Sequence, residues 1–241
     1  MAYQSIFKRY ELKYMLTREQ KKRLVAAMEP YMALDAYGRT TIRNLYFDTD
    51  NYRLIRRSME HPAYKEKLRI RSYDRADAES PVFVELKKKY ESVVYKRRIL
   101  LPEQEAMGWI CERKTNVVSS QISAEIEYVL DYYENLHPTV FLSYEREAYY
   151  TKTGEDFRVT FDEHILCRQE ELSLEEEAWG TPILEEGKVL MELKSPGGIP
   201  LWMTHLLTKE HVYKTPFSKY GEAYRTLIYP KLKEGKNDES I

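Results

Sequence analysis

Apolar and polar positions alternate with a period of two in many short stretches of this chain, and that period predicts strands. They fall at 7–14 (FKRYELKY), 41–48 (TIRNLYFD), 64–73 (YKEKLRIRSY), 81–89 (PVFVELKKK), 92–101 (SVVYKRRILL), 139–151, 156–166 and 187–194. Connections between 64 and 101 are short or carry Asp, Ser and Pro, so meander pairing is expected there. Three-to-four spacing predicts helices at 17–32, opened by Thr17 with Glu19 and Gln20 in the first turn, and at 51–59, 102–111, 121–134, 200–210 and 216–229. The remainder reads as an acidic surface stretch at 169–186, a turn at 195–200 and a frayed tail at 230–241 of one domain spanning 1–241.

Splitting each strand into its two faces separates chemistry as well as polarity. On 64–73, Lys65, Lys67, Arg69, Arg71 and Tyr73 share one face, opposite Leu68 and Ile70. On 81–89, Glu85, Lys87 and Lys89 oppose Val82, Val84 and Leu86. The same division gives Arg9, Glu11 and Lys13; Lys96 and Arg98; Tyr144 and Arg146; Arg158 and Asp162; Glu192 and Lys194. A single such strand reads as a sheet with one wet face. Seven in one chain read differently, because cations about 4 Å apart repel by about 4 kcal/mol in a half-buried setting and so call for a bound anion. The helical segments suffice to cover the apolar faces. The expected fold is therefore α+β: a closed antiparallel β-barrel with a polar lumen and flanking helices.

Composition narrows the class. Tyr, at 21 residues against 7 Phe and 3 Trp, suits half-buried strand faces. The longest apolar runs fall short of a membrane span, the N-terminus lacks the pattern of a secretory signal, and a cytoplasmic protein is expected. Cys111 and Cys167 form no CxxC or Cys/His cluster, which argues against a disulfide framework and a structural zinc site. His61, His137, His164, His205 and His211 share no relay or metal spacing. A formal net charge of -1 gives no support for nucleic-acid binding, although eleven Lys and Arg against six Asp and Glu between Tyr64 and Arg98 concentrate positive charge locally.

A lumen so lined selects linear polyphosphates, since Arg forks match phosphate oxygens and Lys adds point charges. Glu11, Glu85, Asp162 and Glu192 are then either hard oxygen ligands for Mg²⁺ or Mn²⁺, or internal counter-ions of their cationic neighbours. Thr215-Pro216-Phe217-Ser218-Lys219 announces a helix start that can offer N–H groups, a hydroxyl and a cation to phosphate, or serve as a plain cap.

The segments RYELKY (9–14), LYFDTD (45–50), KEKLRIRSY (65–73), FVELKKK (83–89), YKRR (95–98), SYER (143–146), RVTFD (158–162), MELK (191–194) and FSKY (217–220), in this order, resemble the triphosphate tunnel metalloenzymes. Within that CYTH-like superfamily they resemble the catalytic domain of the vacuolar transporter chaperone (VTC) polyphosphate polymerases. The first strand carries Arg9-x-Glu11-x-Lys13 where better-known members carry E-x-E-x-K, a departure shared with the polymerase branch and one that removes a metal-binding carboxylate.

The resemblance implies transfer of the γ-phosphate of ATP onto a growing inorganic polyphosphate, with Mn²⁺ or Mg²⁺ as cofactor. Lys13, Arg69, Arg71, Arg146 and Glu192 are the expected catalytic residues. Arg9, Glu11, Lys67, Lys87, Lys96, Arg98, Tyr144, Arg158, Lys194, Ser218 and Lys219 are expected to bind substrate, and Glu192 with Asp162 to hold the metal. Arg56 or Arg57 is a looser candidate. ATP and polyphosphate or triphosphate are the implied partners, without nucleic acid and without direct membrane insertion; a membrane-protein partner is left open. An inorganic or nucleoside triphosphatase on the same fold, and a non-catalytic module that binds polyphosphate or, as a barrel, nucleic acid, are the alternatives.

Overall fold

The computed structural model describes residues 6–91, 93–115 and 118–238. Strands β1 (Ile6–Thr17), β2 (Met32–Asp48), β3 (Tyr64–Tyr73), β4 (Pro81–Tyr90), β5 (Val93–Pro102), β6 (His137–Thr151), β7 (Arg158–Arg168), β8 (Thr181–Pro182) and β9 (Lys188–Ser195) join one sheet. Helices α1 (Arg18–Met28), α2 (Arg53–Met59), α3 (Glu103–Glu112), α4 (Gln121–Tyr133), α5 (Leu201–Lys209), α6 (Lys219–Ala223) and α7 (Tyr229–Asp238) flank it, with a π-helical turn at Tyr224–Ile228.

The strand order is β6-β2-β3-β4-β5-β1-β9-β7-β8, and β6 pairs in addition with β7. Every pairing is antiparallel. Among the described residues, all strands but the two-residue β8 thus have hydrogen-bonded neighbours on both edges along part of their length. The fold is an antiparallel-sheet-dominated α+β arrangement with flanking helices.

Apolar strand faces point at the helices, as the period-two pattern requires. Leu68 and Ile70 of β3, Val82, Val84 and Leu86 of β4 and Leu101 of β5 pack with Trp109 and Ile110 of α3 and Ile126 and Leu130 of α4. Leu16, Val159, Phe161, Met191 and Leu193 pack with Leu24 and Met28 of α1 and Met203 and Leu207 of α5. Each such fully buried side chain contributes roughly 1.5–3 kcal/mol. Thr17 opens α1 through a capping box with Gln20, as its position predicts.

Several boundaries differ from the sequence reading. The strand expected at 41–48 begins at Met32, because Met32–Leu34 ladder onto Tyr149–Thr151 of β6 before a register shift, and helix α1 stops at Met28 to let it. Residues 181–182 of the acidic stretch pair with β7. The helix expected from 216 begins at Lys219: Thr215 donates its N–H to the Lys13 carbonyl (2.8 Å) and Lys214 bridges Tyr14, holding this segment extended along β1. The tail expected to fray from 230 is helical through Asp238, and 239–241 lie outside the described residues.

Asp48, at the end of β2, ties three elements together. Its carboxylate accepts N–H groups from Thr49 (2.9 Å), Leu54 (2.8 Å) and Ile55 (3.0 Å), and the Tyr220 hydroxyl (2.9 Å). The start of α2 is thereby satisfied by the last residue of the preceding strand, since its own cap position, Tyr52, offers no side-chain bond. The same carboxylate anchors α6.

Candidate functional site

The inner strand faces and the segment 214–221 enclose a cavity of about 540 Å³. Sixteen Lys and Arg side chains line it against four Asp and Glu. That excess decides its chemistry: the cavity is built for a multiply charged anion.

All sixteen residues expected to be catalytic or substrate-binding line this cavity, from Arg9, Glu11 and Lys13 on β1 to Ser218 and Lys219 at the start of α6. Pairing explains the convergence, because Lys65, Lys67, Arg69 and Arg71 stand opposite Lys89, Lys87, Glu85 and Phe83 across the β3–β4 ladder. Arg56 and Arg57 lie on α2 and are not among the lining residues.

The carboxylates are ion-paired. Glu85, 1% exposed, sits 2.7 Å from Arg69, 2.5 Å from Lys96 and 3.8 Å from Arg71. Burial pushes its carboxyl up, but Arg71, Lys96 and Arg69 outweigh that and hold it well below the usual range. Glu11 meets Lys87 at 2.5 Å; burial raises it, and Lys87 with Lys194 brings it down to about 2. Asp162, fully buried, is gripped by both arms of Arg146 (2.6 Å each) and by Lys219. Glu192 is ringed by Lys194 (2.8 Å), Lys219 (3.3 Å), Lys13 (3.6 Å) and Arg146 (3.6 Å).

This geometry bears on the expected metal. Asp162 does not line the cavity, and its oxygens are taken by Arg146 and Lys219, so it stands as a counter-ion and not as an available ligand. Among the described residues no group of three or more His, Cys, Asp or Glu is arranged to hold an ion. Glu192 alone faces the cavity from this cluster, so a cation here would have to draw most of its ligands from a bound anion and water.

Several lysines remain under strain. Burial lowers Lys67 well below its ordinary 10.5, and Lys13, Lys87 and Lys65 lower it further. Lys96 is likewise pushed well down by burial, with Glu85 opposing and Arg71 and Arg69 assisting. Lys194 falls to about 7 for the same leading reason, despite Glu192. Lys219 goes the other way: Asp162 and Glu192 overcome burial and hold it above its ordinary value.

Neutral groups aim these cations: Tyr144 and Ser218 were expected from the sequence, whereas Asn44, Tyr46 and Thr160 were not. Arg69 donates Nη1 to the Tyr46 hydroxyl (2.7 Å), and Arg71 donates Nε to Asn44 Oδ1 (2.9 Å) and Nη2 to the Tyr144 hydroxyl (3.2 Å). Lys194 donates to Thr160 (3.1 Å), and Lys67 to Ser218 (3.1 Å), whose hydroxyl also caps α6 by accepting from Gly221 (3.2 Å). Asn44 and Tyr46 alternate with Leu45 and Phe47 in the predicted strand at 41–48, and that alternation was the available signal.

Two solved structures of low sequence identity share this fold. A Bacillus halodurans protein described as a candidate adenylate cyclase superposes with a TM-score of 0.57 at 17% identity, covering 89% of this chain and 96% of the other. A Hippeastrum protein described as a candidate adenylyl cyclase with a dominant triphosphatase activity superposes with a TM-score of 0.50 at 17% identity, covering 88% and 93%. Among curated proteins, none matches the sequence. The VTC domain family model matches residues 8–228, and the chain belongs to that family.

Proposed function

We propose that the chain is a polyphosphate polymerase: the paired strands close into a barrel whose lumen is the cavity, and the enzyme transfers the γ-phosphate of ATP onto an inorganic polyphosphate inside it. One observation carries this reading: cations from seven strands converge on one cavity with an uncompensated positive excess. Phosphoryl transfer needs alignment and charge neutralisation more than a covalent nucleophile, and the lining offers both.

In this reading Arg69, Arg71 and Arg146, each braced by a carboxylate or hydroxyl, clamp the reacting phosphates. Lys13, Lys67, Lys87, Lys96 and Lys194 neutralise the chain along its path, with Arg9, Arg98 and Arg158 at the periphery. Ser218, Lys219 and Tyr144 complete the wall near Glu192. Glu192 would hold a divalent ion, Mn²⁺ or Mg²⁺, whose role is to offset charge on the transferring phosphoryl group. Asp162 acts through Arg146 and Lys219, which it positions.

Incubating the purified protein with ATP and Mn²⁺ or Mg²⁺ and resolving the products tests the proposal; long-chain polyphosphate is the expected product. The likeness to the Hippeastrum protein described with triphosphatase activity supports a second reading, in which water replaces the polyphosphate acceptor. Orthophosphate as the sole product would select it. Tight polyphosphate binding without turnover would select a non-catalytic binding module. Among the described residues no helix is long and apolar enough to cross a membrane.

A further inference from the structure

The two ends of the cavity differ in a way that phosphate recognition does not require. Lys65 and Lys89 face each other across the β3–β4 ladder, with Lys67 and Lys87 the next lumen-facing pair, so one end is lined by compact, strongly hydrated ammonium groups. At the other end Tyr73 closes β3, Tyr150 is the penultimate residue of β6, and Arg158 opens β7 opposite it. Among the described residues, Tyr73 and Tyr150 are the two large apolar side chains that both line the cavity and are strongly exposed, at 48% and 44%.

These rings belong to a layered set. The Arg158 guanidinium lies over the Tyr150 ring at 4.6 Å, and the Arg98 guanidinium over the Phe83 ring at 4.5 Å. Phe83 meets Tyr73 edge-on, their centroids 5.9 Å apart. Tyr150 pairs with Arg158 across the β6–β7 ladder, and Tyr73 and Tyr150 line the same cavity. Among the described residues the buried Arg158 Nε has no hydrogen-bond partner. A polyphosphate gains nothing from an exposed aromatic face. A flat heteroaromatic ring does, because bases stack on tyrosine and on guanidinium planes whatever their sequence identity.

We propose that this Tyr73–Tyr150 rim seats the base of a nucleoside triphosphate, whose phosphates then run inward onto Arg71 and Arg146. The inference rests on the triphosphate reading above and adds a direction to it: the nucleotide is loaded at the arginine-tyrosine end, and the inorganic chain extends toward the lysine end. Stacking without hydrogen-bond readout makes the seat tolerant, so ATP and GTP bind alike.

The test compares ATP with inorganic triphosphate by calorimetric titration, using wild type and the double variant Tyr73→Ala/Tyr150→Ala in one buffer. The affinity ratio of ATP to triphosphate falls about tenfold in the variant. The Tyr73→Phe/Tyr150→Phe variant, which keeps both faces, retains the wild-type ratio and serves if the alanine variant fails to fold. A ratio unchanged by alanine, or lost equally in the phenylalanine variant, overturns the base seat while leaving triphosphate binding intact. A wild-type protein that binds neither anion overturns the underlying reading as well.

Discussion

Arg146 holds Asp162 with two parallel hydrogen bonds, Nε to Oδ1 and Nη2 to Oδ2, both 2.6 Å, while the other face of Arg146 opens onto the cavity. The carboxylate is fully buried, so the fork is fixed before any ligand arrives. Asp162→Ala strands Arg146 and Lys219 as neighbouring buried cations. We expect a loss of about 3–5 kcal/mol in denaturant unfolding, partly restored by saturating triphosphate, which replaces the missing negative charge. Restoration absent at saturation would show that these cations do not face the ligand.

Tyr46 presents a hydroxyl to Arg69 at 2.7 Å, and Asn44 an amide oxygen to Arg71 at 2.9 Å. A hydrogen bond to a charged group contributes about 1.5–3 kcal/mol. The Tyr46→Phe and Asn44→Ala variants should therefore each lose about 1.5–3 kcal/mol in denaturant unfolding, and bind triphosphate more weakly because Arg69 and Arg71 are no longer held in place. Wild-type affinity in both would remove these residues from the site.

The lysines give a pH signature. Lys67 and Lys96 lie well below 10.5 in the ligand-free fold because burial and adjacent cations disfavour their charged forms. Between the depressed folded value and 10.5, the unfolded chain binds more protons, so these groups make ligand-free stability rise with pH through that window. A bound polyanion favours the charged forms and weakens this dependence. Calorimetric titration of triphosphate at pH 8 in two buffers of different ionisation enthalpy should show net proton uptake; buffer-independent heats would contradict it.

Glu192 stands among four cations within 3.6 Å, and its replacement separates charge neutralisation from metal chemistry. With chelator present, Glu192→Gln should bind triphosphate as tightly as wild type or tighter, because the cavity has lost a negative charge. With Mn²⁺ or Mg²⁺, its turnover of ATP should drop by about 100-fold. Turnover at the wild-type rate would remove the metal role from Glu192.

Asp48 satisfies three backbone N–H groups and the Tyr220 hydroxyl from a fully buried position. Asp48→Ala should cost at least 3 kcal/mol by urea unfolding, since each orphaned buried donor costs about 1–3 kcal/mol. Proteolysis would report loosening first near α2 and α6. Tyr220→Phe removes one of the four bonds and should cost correspondingly less.

Much of the site was legible because a strand displays its chemistry every second residue. KEKLRIRSY and FVELKKK put cations on one face and aliphatics on the other, and both faces went where the alternation said. The start of β2 was not legible: Met32–Leu34 become strand only because Tyr149–Thr151 of another strand complete their hydrogen bonds. The helix start at Lys219 was hidden similarly, since Thr215 and Pro216 have the local form of a cap and first turn, yet contacts to β1 hold that segment extended.

By itself the sequence determined the element types, the polarity of each strand face and thus the identity of the cationic residues, because these follow from the two-residue period of an extended chain. Only the tertiary structure decided which carboxylates are spent as counter-ions, that Asp162 supports Arg146 from behind the wall, and that the cavity's two ends differ in aromatic exposure. Those properties depend on distances between strands remote in sequence, and ion pairing, burial and perturbed acidity all vary steeply with such distances.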